Sequence, residues 1–143
     1  FYDDSSATTP ESTIAALAAF EAPVWLVAGG YDKQLPLAAL ASAIRQRAQG
    51  GAFYGAMRRR LADWVGARES DAEYALTETL DEAVRRCFAQ SRPGDAIVLS
   101  PGCASYDQFA DYRERAAAFR AAAEALARPA MPAASRAEAR PAA

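Results

Sequence analysis

The chain has 143 residues and a net charge of −2 at pH 7, from 16 basic and 18 acidic side chains. That length supports one domain with a real core and is too short for two. The charge balance argues against a nucleic-acid grip driven by counterion release, and with no apolar run of bilayer length and no opening signal-peptide pattern, no membrane role is expected.

Phe1-Tyr2 reads as the end of a strand, and Asp3–Thr8 as a polar loop. Thr9-Pro10-Glu11 is a helix start, with a hydroxyl cap, Pro at the first helical position and an acid in the first turn. Ile14, Leu17 and Ala18 supply its apolar face, and it ends near Phe20. Val24–Ala28 is a continuous apolar run, typical of a parallel strand covered on both faces, and Gly29-Gly30 breaks it. Pro36 opens a second helix through Leu37, Leu40, Ala41, Ile44 and Ala48, which Gly50-Gly51 ends. Ala52-Phe53-Tyr54 is the next strand, followed by a helix through Met57, Leu61, Trp64 and Val65.

Tyr74-Ala75-Leu76 reads as a short strand. Thr79-Leu80-Asp81-Glu82 fits a capping box. Leu80, Val84, Cys87 and Phe88 share one face of that helix, with Asp81–Arg85 and Glu82–Arg86 pairs on the other. Arg92-Pro93-Gly94-Asp95 turns into the strand Ala96–Ser100. The last helix carries Phe109, Tyr112, Ala116, Phe119, Ala123 and Leu126 on one stripe. Strands alternating with helices predict an α/β fold over residues 1–127, with a doubly wound, mainly parallel sheet flanked by helices. The Ala/Pro-rich stretch 128–143 shows no period and is expected to be disordered.

Three loops follow strands and should gather at one sheet edge, where open α/β sheets hold their ligands: Asp3–Thr8, Gly29–Lys33 and Ser100–Asp107. They offer the hydroxyls of Thr8 and Ser105, the acids Asp4 and Asp32, and Lys33, the one lysine beside fifteen arginines. Two hydroxyls and an ammonium suit an anionic small molecule, because carboxylate oxygens accept charge-assisted hydrogen bonds of ~1.5–3 kcal/mol each. The plainer reading has Thr8 capping a turn, Lys33 solvated and Ser105 capping the last helix.

The sequence contains no histidine. Ser-His-Asp and Cys-His catalysis and histidine metal sites are therefore absent from it. Cys103 is expected to pack rather than react, and Cys87 belongs to the core. Two cysteines make no disulfide framework, so a reducing cytoplasm is the expected setting. Arg58-Arg59-Arg60 reads as a solvated helix face. Asp3 and Asp4, adjacent on an extended chain, point apart and are not expected to share a metal.

Taken together, Asp4-Ser5-Ser6-Ala7-Thr8 with Ser12-Thr13, Gly29-Gly30-Tyr31-Asp32-Lys33, Pro93-Gly94-Asp95 and Ser100–Phe109 (SPGCASYDQF) carry a resemblance from about Phe1 to Leu126. The chain resembles the C-terminal domain of the D-glutamate-adding Mur ligases. The resemblance implies a Rossmann-like domain that delivers D-glutamate to UDP-N-acetylmuramoyl-L-alanine in peptidoglycan synthesis. A central ATPase domain, the partner of this one, would activate the acceptor carboxylate as an acyl phosphate with ATP and Mg. This domain would close over it like a lid. No residue of this domain is implied to be catalytic in the narrow sense, and no metal ligand.

By position, Thr8 and Lys33 would hold one carboxylate of the amino acid. Ser105 would hold the other, with Tyr106 beside it and help from the backbone around Tyr112, where the family usually has Phe. Asp4 matches the family aspartate that reaches the nucleotide. The family loop usually reads Asn-Asp-Ser-Lys-Ala-Thr; here Asp3 stands for the Asn and Ser6 for the Lys, which bears on contacts to the phosphates. Gln34 stands for a frequent Gly, and Ala116 for a Gly in the last helix. Alone, the chain is expected to ligate nothing. A non-catalytic α/β binding or interaction module and a sister ligase for another amino acid are the rival readings.

Overall fold

The computed structural model describes residues 1–67 and 73–128. In chain order the elements are β1 (Tyr2–Asp3), α1 (Pro10–Ala18), β2 (Val24–Gly29), α2 (Ala38–Arg47), β3 (Ala48–Tyr54), α3 (Arg58–Val65), β4 (Tyr74–Thr77), α4 (Leu80–Gln90), β5 (Ala96–Leu99) and α5 (Tyr112–Ala127). The strands form one sheet in the order β1-β5-β2-β3-β4, and every pairing is parallel. This is the α/β architecture expected from the sequence. The Ala/Pro-rich stretch lies, beyond Arg128, outside the described residues.

Residue alternation along the strands divides the core in two. Val24, Leu26 and Ala28 of β2, with Phe53 and Val98, face Leu17, Leu40, Ile44, Leu61 and Val65 from α1, α2 and α3. Trp25 and Val27, with Ala52, Tyr54, Ile97 and Leu99, face Leu80, Val84 and Cys87 of α4 and Phe119 of α5. Three helices therefore cover one face and two the other. The chain steps from β1 through β2 and β3 to β4 in one direction and returns to β5 in the other. With crossovers of one hand, the reversed step places its helix on the opposite face.

That reversal makes β5 the switch strand. Its neighbours β1 and β2 lead into α1 and α2 on one face, while β5 leads into α5 on the other. Crevices open where adjacent chains part in this way, outside the carboxyl ends of the strands.

Several local expectations need correction. The second helix starts at Ala38, not Pro36, and ends at Arg47. Gly50-Gly51 is not its stop signal but part of β3, and Ala48 is that strand's first residue. A Cβ on Gly50 would strike the Trp25 ring, and one on Gly51 the Leu26 carbonyl, so these glycines allow close strand packing. In α1, Ala18 is exposed and Thr13 is buried instead, its hydroxyl donating to the Ser100 carbonyl at 3.1 Å. Trp64 and Phe88 are exposed, and Phe88 stacks on Phe1. Asp81 pairs with Arg85 at 2.7 Å as expected. The Glu82–Arg86 pair does not form: Glu82 Oε2 accepts from the Glu78 amide while Thr79 Oγ1 caps the Glu82 amide.

The candidate functional site

The loop after β1 is pinned where it leaves the strand, at Asp4. The Asp4 amide donates to the Leu99 carbonyl at 2.8 Å, and Asp4 Oδ2 accepts from Ser100 Oγ at 2.8 Å. Thr9, not Thr8, caps α1, with its Oγ1 accepting from the Ser12 amide.

The loop after β2 leaves through Gly29 and Gly30, whose φ angles of 138° and 132° exclude other residue types. Its Tyr31 amide donates to the Ala104 carbonyl at 2.8 Å, tying it to the loop after β5. Asp32 Oδ1 accepts from the Gln34 amide at 2.6 Å and from Arg60 Nη1 at 2.8 Å. Arg60 also donates to the Leu35 carbonyl at 3.0 Å. The Arg58–Arg60 run is thus not simply a solvated face, since Arg60 fastens this loop and Arg58 donates to the Gly55 carbonyl. Gln34 sits at φ 59°, the left-handed region. That conformation accounts for the glycine expected there by resemblance.

With Asp32 engaged by Arg60, Lys33 is exposed and pairs with no carboxylate among the described residues. A free ammonium is what an incoming anion requires. Thr8 and Lys33 both line one narrow crevice, with Pro10, Tyr31, Gly102 and Cys103 among its other walls. The space inside is about 10 Å³, room for about one water. A larger ligand must therefore lie across the mouth, where the Lys33 ammonium is exposed.

The loop after β5 is held by its neighbours. The Gly102 amide donates to the Ala7 carbonyl at 2.9 Å, and the Ala56 amide donates to Asp107 Oδ2 at 3.1 Å. Cys103 is buried, and burial pushes its thiol up to about 12. Cys87, buried in the core, is likewise pushed up to about 12. Both are thiols, not thiolates, at neutral pH.

A family model described as "Mur ligase, glutamate ligase domain" matches residues 1–103. The chain is 38% identical over 120 residues to the UDP-N-acetylmuramoylalanine–D-glutamate ligase of Solibacter usitatus, covering 84% of this chain and 26% of that protein. It is 40% identical over 126 residues to the protein of the same name from Aromatoleum aromaticum, covering 88% and 27%. The Nitrosospira multiformis protein of that name is 38% identical over 126 residues, covering 88% and 26%. The chain belongs to the Mur ligase glutamate ligase domain family. It spans about a quarter of the length of these relatives.

Within this Mur ligase domain, the expected site residues fall into two groups. Thr8 and Lys33 meet at the crevice between the loops after β1 and β2. Ser105 is buried two residues beyond Cys103 and does not line that crevice. It does not cap α5 either, since Asp111 does so through the Glu114 amide at 2.9 Å. Tyr106 is largely exposed and meets Tyr31, a wall residue of the crevice, edge to face at 6.4 Å. Tyr112 lies elsewhere, bordering an open recess of about 380 Å³ with Asp3, Ser5, Ser6, Arg113 and Arg120. Its carbonyl accepts from Ser5 Oγ at 2.6 Å.

Asp3 and Asp4 have separate partners, Arg120 and Ser100. No cluster of three ligating side chains suited to a metal ion occurs among the described residues. No described helix is long and apolar enough to cross a membrane.

The residue that sequence reading missed is Arg115. It is fully buried, and with the expected Ala116, Phe119 and Ala123 and with Ala122 it forms the inward face of α5, where Leu126 is partly buried. An apolar residue at 115 would have revealed that spacing; the charge hid it.

Proposed function

We propose that this domain binds and presents D-glutamate within a larger Mur ligase that joins it to UDP-N-acetylmuramoyl-L-alanine. The observation that carries this reading is the meeting of Thr8 and the unpaired Lys33 at one crevice beside the switch strand. An alcohol and an ammonium together clasp a carboxylate with one neutral and one charge-assisted hydrogen bond. The second carboxylate falls to the adjoining loop, where Tyr106 is exposed and Ser105, buried in this structure, reaches it only once that loop shifts. Near Tyr112 the carbonyl is already taken by Ser5, so a backbone contact to ligand comes from an N–H.

The amine of the held amino acid then attacks an acceptor carbonyl that ATP has activated as an acyl phosphate. The carbon–nitrogen bond forms, the carbon–oxygen bond to phosphate breaks, phosphate leaves with the electron pair, and the amine loses a proton. What this domain contributes is orientation, worth ~7–11 kcal/mol of a barrier in favourable cases. Asp4 stands at the loop that faces the nucleotide, with Mg held by the rest of the enzyme. A cytoplasmic setting follows from the UDP-linked precursor.

The test is phosphate release by the complete protein, supplied with ATP, UDP-N-acetylmuramoyl-L-alanine and one amino acid at a time. D-glutamate is expected to support turnover, with L-glutamate and neutral amino acids far below it. Turnover with a different amino acid assigns a sister ligase, and no turnover with any assigns a binding module. The 143-residue chain alone is expected to give none.

A further inference from the structure

Arg115 is an unusual investment for a small domain. Its side chain is completely buried, and no carboxylate pairs with it among the described residues. A guanidinium taken from water without a counterion is costly, and an apolar residue of similar volume would usually serve packing better. Its partners show what it holds. Arg115 Nε donates to Ser5 Oγ at 3.0 Å, Nη2 to the Ser5 carbonyl at 2.7 Å, and Nη1 to the Cys103 carbonyl at 2.8 Å. Nη1 also lies 3.4 Å from the point a Cβ on Gly30 would occupy.

Each of these contacts falls just upstream of a ligand-bearing residue. Ser5 precedes Thr8 by three positions, Gly30 precedes Lys33 by three, and Cys103 precedes Ser105 by two. The planar fork thus hydrogen-bonds the loops after β1 and β5 and lies close to the loop after β2 at Gly30. Beside it, the Tyr54 hydroxyl is buried close to the guanidinium without a well-formed hydrogen bond, and Asp107 Oδ1 is also buried without a partner.

We infer that Arg115 is a positioning residue for the amino acid: its fork sets the mutual register of the loops bearing Thr8, Lys33 and Ser105. This rests on the ligase reading above. Lysine keeps the charge but is a point donor on a flexible stem and cannot span Ser5 and Cys103 together. Charge and register are therefore separable by substitution.

The experiment compares wild type, Arg115→Lys and Arg115→Met in the complete enzyme, measuring KM for D-glutamate, KM for ATP, kcat and the melting temperature. Arg115→Lys is expected to fold and to raise KM for D-glutamate at least tenfold while KM for ATP stays within twofold. An unchanged KM for D-glutamate in folded Arg115→Lys overturns the inference. So does a parallel rise in both KM values, or failure of both variants to fold, since each describes a purely structural cation. A wild-type enzyme that shows no dependence on any amino acid fails the ligase reading itself, which the wild-type control reveals before any variant is compared.

Discussion

Lys33→Ala in the complete enzyme is expected to raise KM for D-glutamate by roughly tenfold to a hundredfold, with kcat little changed. The magnitude is that of one charged hydrogen bond, ~1.5–3 kcal/mol, at ~1.4 kcal/mol per factor of ten. The split between KM and kcat follows because the held carboxylate does not change charge as the amine attacks, so ground and transition states lose equally. Nothing compensates for the loss nearby. The nearby cation Arg60, on α3, is committed to Asp32 and Leu35. Lys33→Arg is expected to recover only part of the affinity, because a planar fork at the exposed mouth presents its donors in a different geometry from a compact ammonium. Steady-state kinetics with D-glutamate as the varied substrate decide the matter, and an unchanged KM in Lys33→Ala makes Lys33 a solvated side chain.

Gly29→Ala is expected to destabilise the fold by more than ~3 kcal/mol, combining backbone strain with overpacking. Gly29 closes β2 at φ 138°, and an added Cβ would run into the Tyr54 backbone of β3. Neither strand can yield, because both lie inside the sheet and are buried where they meet, β2 throughout and β3 from Gly50 to Tyr54. Gly66→Ala is the control: φ is 79°, yet nothing lies within 4 Å of the new atom. It is expected to cost only about 1–2 kcal/mol, the left-handed penalty alone. Urea unfolding of the two variants measures the difference, and equal losses would remove the steric account of Gly29.

Where the sequence was legible, the physics was local. Val24–Ala28 and Ala96–Leu99 are apolar throughout because both faces of a parallel sheet are covered, and no helix of useful length fits so short a run. Thr9-Pro10 and Thr79 read as caps because capping depends on a few adjacent residues. The meeting of Thr8 and Lys33 was also foreseeable, since strand ends in a parallel sheet lie on one side.

Reading failed where a neighbour distant in sequence decided the outcome. Gly50-Gly51 looks like a helix stop, but Trp25 and Leu26 dictate the absence of side chains there. Arg115 breaks the apolar stripe of α5 because its partners, Ser5 and Cys103, come from other loops.

The most direct measurement is a double-mutant cycle on Thr8 and Lys33, read as kcat/KM for D-glutamate in the complete enzyme. If the pair grips a single carboxylate, Thr8→Val costs much less in a Lys33→Ala background than in wild type, with a coupling of at least ~0.5 kcal/mol. Strictly additive losses, or no loss from either change, would mean that these side chains do not share a ligand.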